Sequence, residues 1–109
     1  VAYTYKVLAQ SAPGATTNTD VYTVGSGKTA IISTMTIANR GTSSASYRIA
    51  IRPAGATLAN QHYIAFDAVV AGNDTTALTL GLTLAASDVV TVYVSSANIS
   101  IGLFGSEVA

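Results

Sequence analysis

One periodicity governs what this chain can fold into: apolar side chains recur at every second residue. "TALTLGLTL" puts Leu78, Leu80, Leu82 and Leu84 on one row and Thr79, Gly81 and Thr83 on the other. Strict alternation is the pattern of a strand with one buried face. Gly81, in the outer row, predicts a bulge or a closely approaching backbone. "ASYRIAIR" turns Tyr47, Ile49 and Ile51 inward and Arg48 and Arg52 outward. "DVVTVYV" sends Val90, Val92 and Val94 in, with Thr91 and Tyr93 out, and "NISIGLF" groups Ile99, Ile101 and Leu103.

A longer run, "KTAIISTMTIAN", places Ile31, Met35 and Ile37 together and Ile32 opposite them. Further strands are expected at Tyr3–Gln10 and Asp20–Val24. Between the runs stand turn signals such as "GSG", "NRGTSS", "AGND", "AASD" and "SSAN", whose Gly, Asn, Asp and Ser residues suit tight turns. The later ones recur roughly every ten residues, the rhythm of an antiparallel sandwich. The expected fold is all-β: one antiparallel β-sandwich domain over 1–109, jelly-roll or Ig-like, of about eight strands, with a small barrel as the alternative. Only "GATLANQHY" could hold a helical turn.

The chain has 109 residues and no cysteine, so disulfides and thiolate chemistry are excluded. Only 9% of its residues are charged, against roughly 25% in an ordinary soluble domain. Five basic and five acidic residues cancel, and no basic stripe supplies the electrostatic term on which nucleic-acid affinity rests. Neither nucleic acid nor a membrane is an expected partner. The charge-free run Val89–Ser106 alternates and is punctuated by Thr91, Ser95, Ser96, Asn98 and Ser100, which marks it as strands. So neutral an exterior is poorly protected against self-association, which points to a surface covered by partners or by other subunits.

Reactive side chains gather in one segment, "RPAGATLANQHYIAFD", which holds the single histidine. His62 and Asp67 are separated by an odd number of positions and would project to opposite faces of a strand. No G-x-S-x-G elbow accompanies them, one histidine cannot make a His-pair metal site, and "GSGK" lacks phosphate-loop spacing. Asp20, Asp74 and Asp88 sit at turn edges, where carboxylates satisfy backbone N–H groups. The expectation is a protein that is not an enzyme and carries no catalytic residue, cofactor or metal. Tyrosine is the remaining recognition chemistry. Among Tyr3, Tyr5, Tyr22, Tyr63 and Tyr93, exposed rings would suit a partner or a sugar, and Arg48 and Arg52, in one outer row, could anchor a partner carboxylate.

The text of the chain adds a resemblance. "NRG", "YRIAIRPAG", "HYIAFD", "TLGLTLAASDVV" and the terminal "FGSE" look like landmarks of small all-β virion structural proteins of tailed bacteriophages, cyanophages included. The likeness runs from Tyr5 to Glu107 and includes no catalytic fingerprint. It implies a capsid decoration, or cement, protein on the outer capsid surface that bridges and stabilises subunits of the major capsid protein, often as a homotrimer. Neck, tail or baseplate placement is the first alternative, and a carbohydrate- or receptor-binding module the second. Chain ends often order on docking, so Val1, Tyr3, Tyr5 and Glu107 join Arg48, Arg52, Tyr63 and Tyr93 as expected contact residues.

Overall fold

The alternating runs form strands and pack as two sheets, as a computed structural model shows for residues 3–109, the residues described. The strands are β1 (Tyr3–Ser11), β2 (Thr19–Thr23), β3 (Thr29–Asn39), β4 (Ala45–Arg52), β5 (Tyr63–Val70), β6 (Thr75–Leu78), β7 (Leu82–Leu84), β8 (Val89–Val94) and β9 (Ile99–Val108). One sheet runs β1-β9-β3-β6, with β7 also on β3; the other runs β2-β8-β4-β5. Every strand pair is antiparallel. Neither sheet closes on itself, so the architecture is a sandwich rather than a barrel.

The pairing also resolves the topology. If β6 and β7 are taken as one interrupted strand, β1 meets β9, β2 meets β8, β3 meets β6/β7 and β4 meets β5. Those are the rungs of one long hairpin, rolled so that successive rungs fall in alternate sheets, which is the jelly-roll arrangement. The expected helical turn is present as a 3-10 turn at Asn60–His62, and a second lies at Pro53–Gly55. Among the described residues no helix is long and apolar enough to cross a membrane.

The core is supplied by the inward rows. Met35, Ile37, Ile99, Ile101 and Leu103 from one sheet face Tyr47, Ile49, Val90, Val92 and Val94 from the other, all buried. Asn39 is buried with them, but its amide donates to the Ser43 and Val70 carbonyls and accepts from the Gly41 N–H. A buried amide so satisfied ties two turns to the sheet without a desolvation penalty.

Two expectations are corrected, and one irregularity accounts for both. The β3–β9 register slips between Ile32 and Thr34, which makes Ser33 a β-bulge. An extra residue reverses the parity of a strand, so Ile32 joins Met35 and Ile37 in the core while Ile31 turns outward and is 40% exposed. The leucine run is likewise not one strand. Leu78 pairs with Met35 and Leu82 with Ile32, so the partner strand breaks opposite the bulge. Gly81 takes φ +63° in that break, and Leu80 is 46% exposed. On the other side of β3, Gly105 fits against the bulge, where a Cβ would overlap the Ile31 carbonyl oxygen. β1 shifts register at Leu8, beside Phe104, so the irregularities line up across the sheet.

Candidate interaction surface

Ionic side chains define what the exterior offers, and almost all are turned to internal use. Glu107 faces inward at one end of the sandwich. Its carboxylate accepts from the Tyr22 hydroxyl at 2.6 Å and meets Lys6 Nζ at 2.7 Å, with Lys28 Nζ at 3.8 Å. Lys6 and Tyr22, as donors, hold the Glu107 carboxyl below its usual range. Burial first, and then donation to Glu107, push the Tyr22 phenol far up. Expected as a contact residue in a loose terminal segment, Glu107 is instead buried within β9.

On the outer face of the four-stranded sheet, Arg52 donates through Nη2 to Asp20 at 2.9 Å and through Nε to Thr91 Oγ1 at 3.0 Å. It also reaches the Gly55 and Ala56 carbonyls, while Thr91 donates to Asp20 at 2.8 Å. Thr91, expected to point outward, does so but is only 4% exposed beneath this cluster. Asp20 therefore joins strands rather than trimming a turn. Asp88 does trim one, accepting from the Ala54 and Ala85 N–H groups, and Asp74 accepts from Thr75.

Arg48 occupies the same outer row. Its guanidinium lies 4.1 Å from the Phe66 ring centre and 4.4 Å from that of Tyr93, and it donates to both oxygens of Asp67 at 2.6 and 3.3 Å. Tyr63 meets Phe66 edge to face at 5.0 Å. The hydrogen bond to Arg48 lowers the Asp67 pKa and raises that of Arg48. Both expected anchor arginines thus already hold carboxylates of their own chain. Arg40 pairs with no carboxylate among the described residues; it donates to Ser100 Oγ and the Ala97 carbonyl.

The reactive segment resolves into structure. His62 Nδ1 accepts from the Ala59 N–H at 3.1 Å, closing the 3-10 turn, while Asp67 is held by Arg48. Among the described residues no group of three or more His, Asp or Glu side chains is placed to hold a metal ion. A shallow depression of about 430 Å³ lies over Gly102, lined by Gln10, Ser11, Thr36, Ser100 and Phe104.

What remains is the outer face of the five-stranded sheet. Lys6 is registered with Gly105 and Thr4 with Glu107, on the inward side, which leaves Tyr3, Tyr5 and Val7 outward beside Val108, Ser106 and Phe104. Ile31, Thr34, Thr36 and Ala38 of β3 continue that face, which carries no Asp, Glu, Lys or Arg from β1, β9 or β3. Tyr5 is 82% and Tyr3 63% exposed, and Val7 and Ile31 are exposed beside them. A second exposed apolar group, Ile64, Phe66 and Val69, follows β5.

No protein-family model, curated protein or solved structure matches this chain. Among the expected contact residues, then, Tyr3 and Tyr5 stand free on the uncharged face, while Arg48, Tyr63 and Tyr93 share one stacked cluster on the opposite sheet. Arg52 and Glu107 are locked into internal networks, and Val1 lies outside the described residues. Val7, Ile31 and Phe66 were not anticipated. Phe66 could have been found from its place between Tyr63 and Asp67 in a strand-like run, whereas Ile31 was hidden by the parity change at Ser33.

Proposed function

We propose that the protein is a structural component of a tailed-phage virion, a decoration protein that binds the outer capsid surface and bridges subunits of the major capsid protein. The resemblance of its landmark segments supports membership. The observation that carries the mechanism is the outer face of the five-stranded sheet, to which its strands contribute no charged side chain and on which Tyr3, Tyr5, Val7 and Ile31 are exposed; Arg40 reaches it only at Ser100, at its far end. Such a face gains by being covered: removing apolar surface from water contributes roughly 25 cal/mol per Å² before the costs of association. Lys6, Lys28, Arg48 and Arg52 are paired within the chain, so docking on this face strips few ions of water. Many weakly bound copies then hold a shell by mass action, with no reaction required.

The test is binding to purified capsids. Cosedimentation should saturate near the copy number of the major capsid protein, and coated particles should survive heat or osmotic shock that ruptures bare ones. A dozen copies or fewer per virion would instead place the protein at the neck, tail or baseplate. A second reading, saccharide recognition, is favoured by the hydroxyl- and amide-lined depression with Phe104 at its side. Glycan-array binding that is lost in Gln10→Ala and Ser100→Ala would support it over shell docking.

A further inference from the structure

We infer that two copies of this chain associate through β1, strand edge to strand edge and antiparallel, about a two-fold axis. The sandwich has four sheet edges, and three are blunted. β6 and β7 are short and separated by the Gly81 break. β2 has five residues and a register shift between Asp20 and Tyr22. β5 shifts register twice against β4 and holds Asp67 at φ +53°. Short, bulged and kinked edges are the usual means of refusing a foreign strand.

β1 has no bulge or kink over Tyr3–Val7, and its one charge, on Lys6, is drawn inward onto Glu107. Its register against β9 is unbroken there, every one of the five residues is exposed, and among the described residues its only ladder partner is β9. A row of backbone donors and acceptors with nothing across from it is completed by another strand. Because the other three edges are blunted, the partner edge that fits is β1 itself, and such a contact is isologous.

Charge excludes one register, and cross-strand pairing favours its neighbour. Centred on Tyr5, the pairing sets Tyr5 opposite Tyr5, Tyr3 opposite Val7, and Thr4 opposite Lys6. Aromatic and aromatic–β-branched pairs across a ladder are favourable, and no like charges oppose. Centring on Lys6 would set two lysines face to face. The resulting continuous sheet presents both uncharged outer faces on the same side. The inference is independent of shell binding and departs from the trimer that the resemblance implies, since closure of one edge on itself yields a pair.

The experiment is sedimentation equilibrium on the isolated protein from low micromolar to millimolar concentration. The mass should rise from 11.0 kDa towards twice that value in the wild type and in Val69→Lys, while Tyr5→Lys, which opposes two lysines, stays monomeric with an unchanged melting temperature. A wild-type monomer throughout, a trimer, or undiminished pairing of folded Tyr5→Lys would overturn the inference. If Tyr5→Lys fails to fold, hydrogen exchange on the wild type decides: amides of Tyr3–Val7 should gain protection with concentration, and no gain would overturn it. Ile31→Lys, which alters the docking face on β3 and leaves the β1 edge intact, separates this contact from shell docking: it should still pair while capsid cosedimentation falls, and loss of pairing would overturn the inference.

Discussion

The Tyr22 hydroxyl donates to the Glu107 carboxylate at 2.6 Å, linking a strand of one sheet to a strand of the other. With Lys6 on the second oxygen, this contact closes one end of the sandwich around the only carboxylate side chain buried among the described residues. Tyr22→Phe should cost about 1.5–3 kcal/mol of stability at neutral pH, the range for a hydrogen bond to a charged group. Denaturant titration of the variant measures it, and a change near zero would show that the phenol adds only packing.

The same pair sets a dependence on pH. Glu107 has a depressed pKa in the folded state, so its contribution is present above the ordinary carboxyl value and is lost as pH falls through the folded one. Tyr22 has a raised pKa, so its contribution is present below the ordinary phenol value and is lost as pH rises through the raised one. Glu107→Gln should flatten the acid limb of the stability profile. An acid limb as steep as that of the wild type would assign it to other carboxylates, Asp67 first.

At the bulge, Gly105→Ala should destabilise by about 3 kcal/mol or more, because the new methyl would collide with main chain that cannot rotate aside. The denaturation midpoint reads this directly, and an unchanged midpoint would mean that β3 and β9 can slide apart there.

Ala54 sits at φ +52° beside Gly55 at φ +72° in an exposed turn. The left-handed region costs a Cβ-bearing residue about 1–2 kcal/mol. Ala54→Gly should therefore stabilise by about 0.5–1 kcal/mol after the extra freedom of the unfolded glycine is subtracted. A lower melting temperature in this variant would contradict the reading.

Thr91→Val removes the hydroxyl that stands between Asp20 and Arg52. About 1 kcal/mol should be lost, the net worth of the hydrogen bonds removed, since Asp20 stays open to water and keeps Arg52 as a partner. Arg52→Lys in the same background tests the coupling: additive losses would show that the three side chains do not act as one network.

How much of this was legible in the chain follows from the range of each interaction. Alternation is local, so the strands around Tyr47, Val92 and Ile101 and the two-sheet core could be read directly. Ser33 carries no mark distinguishing a bulge from a strand residue, and its effect depends on Gly105, far along the chain, and on the break after Leu78. The ionic networks join residues such as Tyr22 and Glu107, which only the rolled hairpin brings together. Tyr3 and Tyr5 could be nominated as contacts from chemistry alone, but that Lys6 turns inward and leaves their face uncharged required the register of β1 on β9.

That β1, among the described residues, pairs with β9 alone has a consequence for biogenesis. β1 leaves the ribosome before its partner β9 is made, so this ladder waits for a strand distant in sequence, and closure of that long loop precedes it. Until then Tyr3–Val7 is an open template in a crowded cell, vulnerable to pairing with any extended nascent chain nearby. Yield on expression should therefore depend on how quickly the codons of Ile99–Val108 are translated and clear the ribosome.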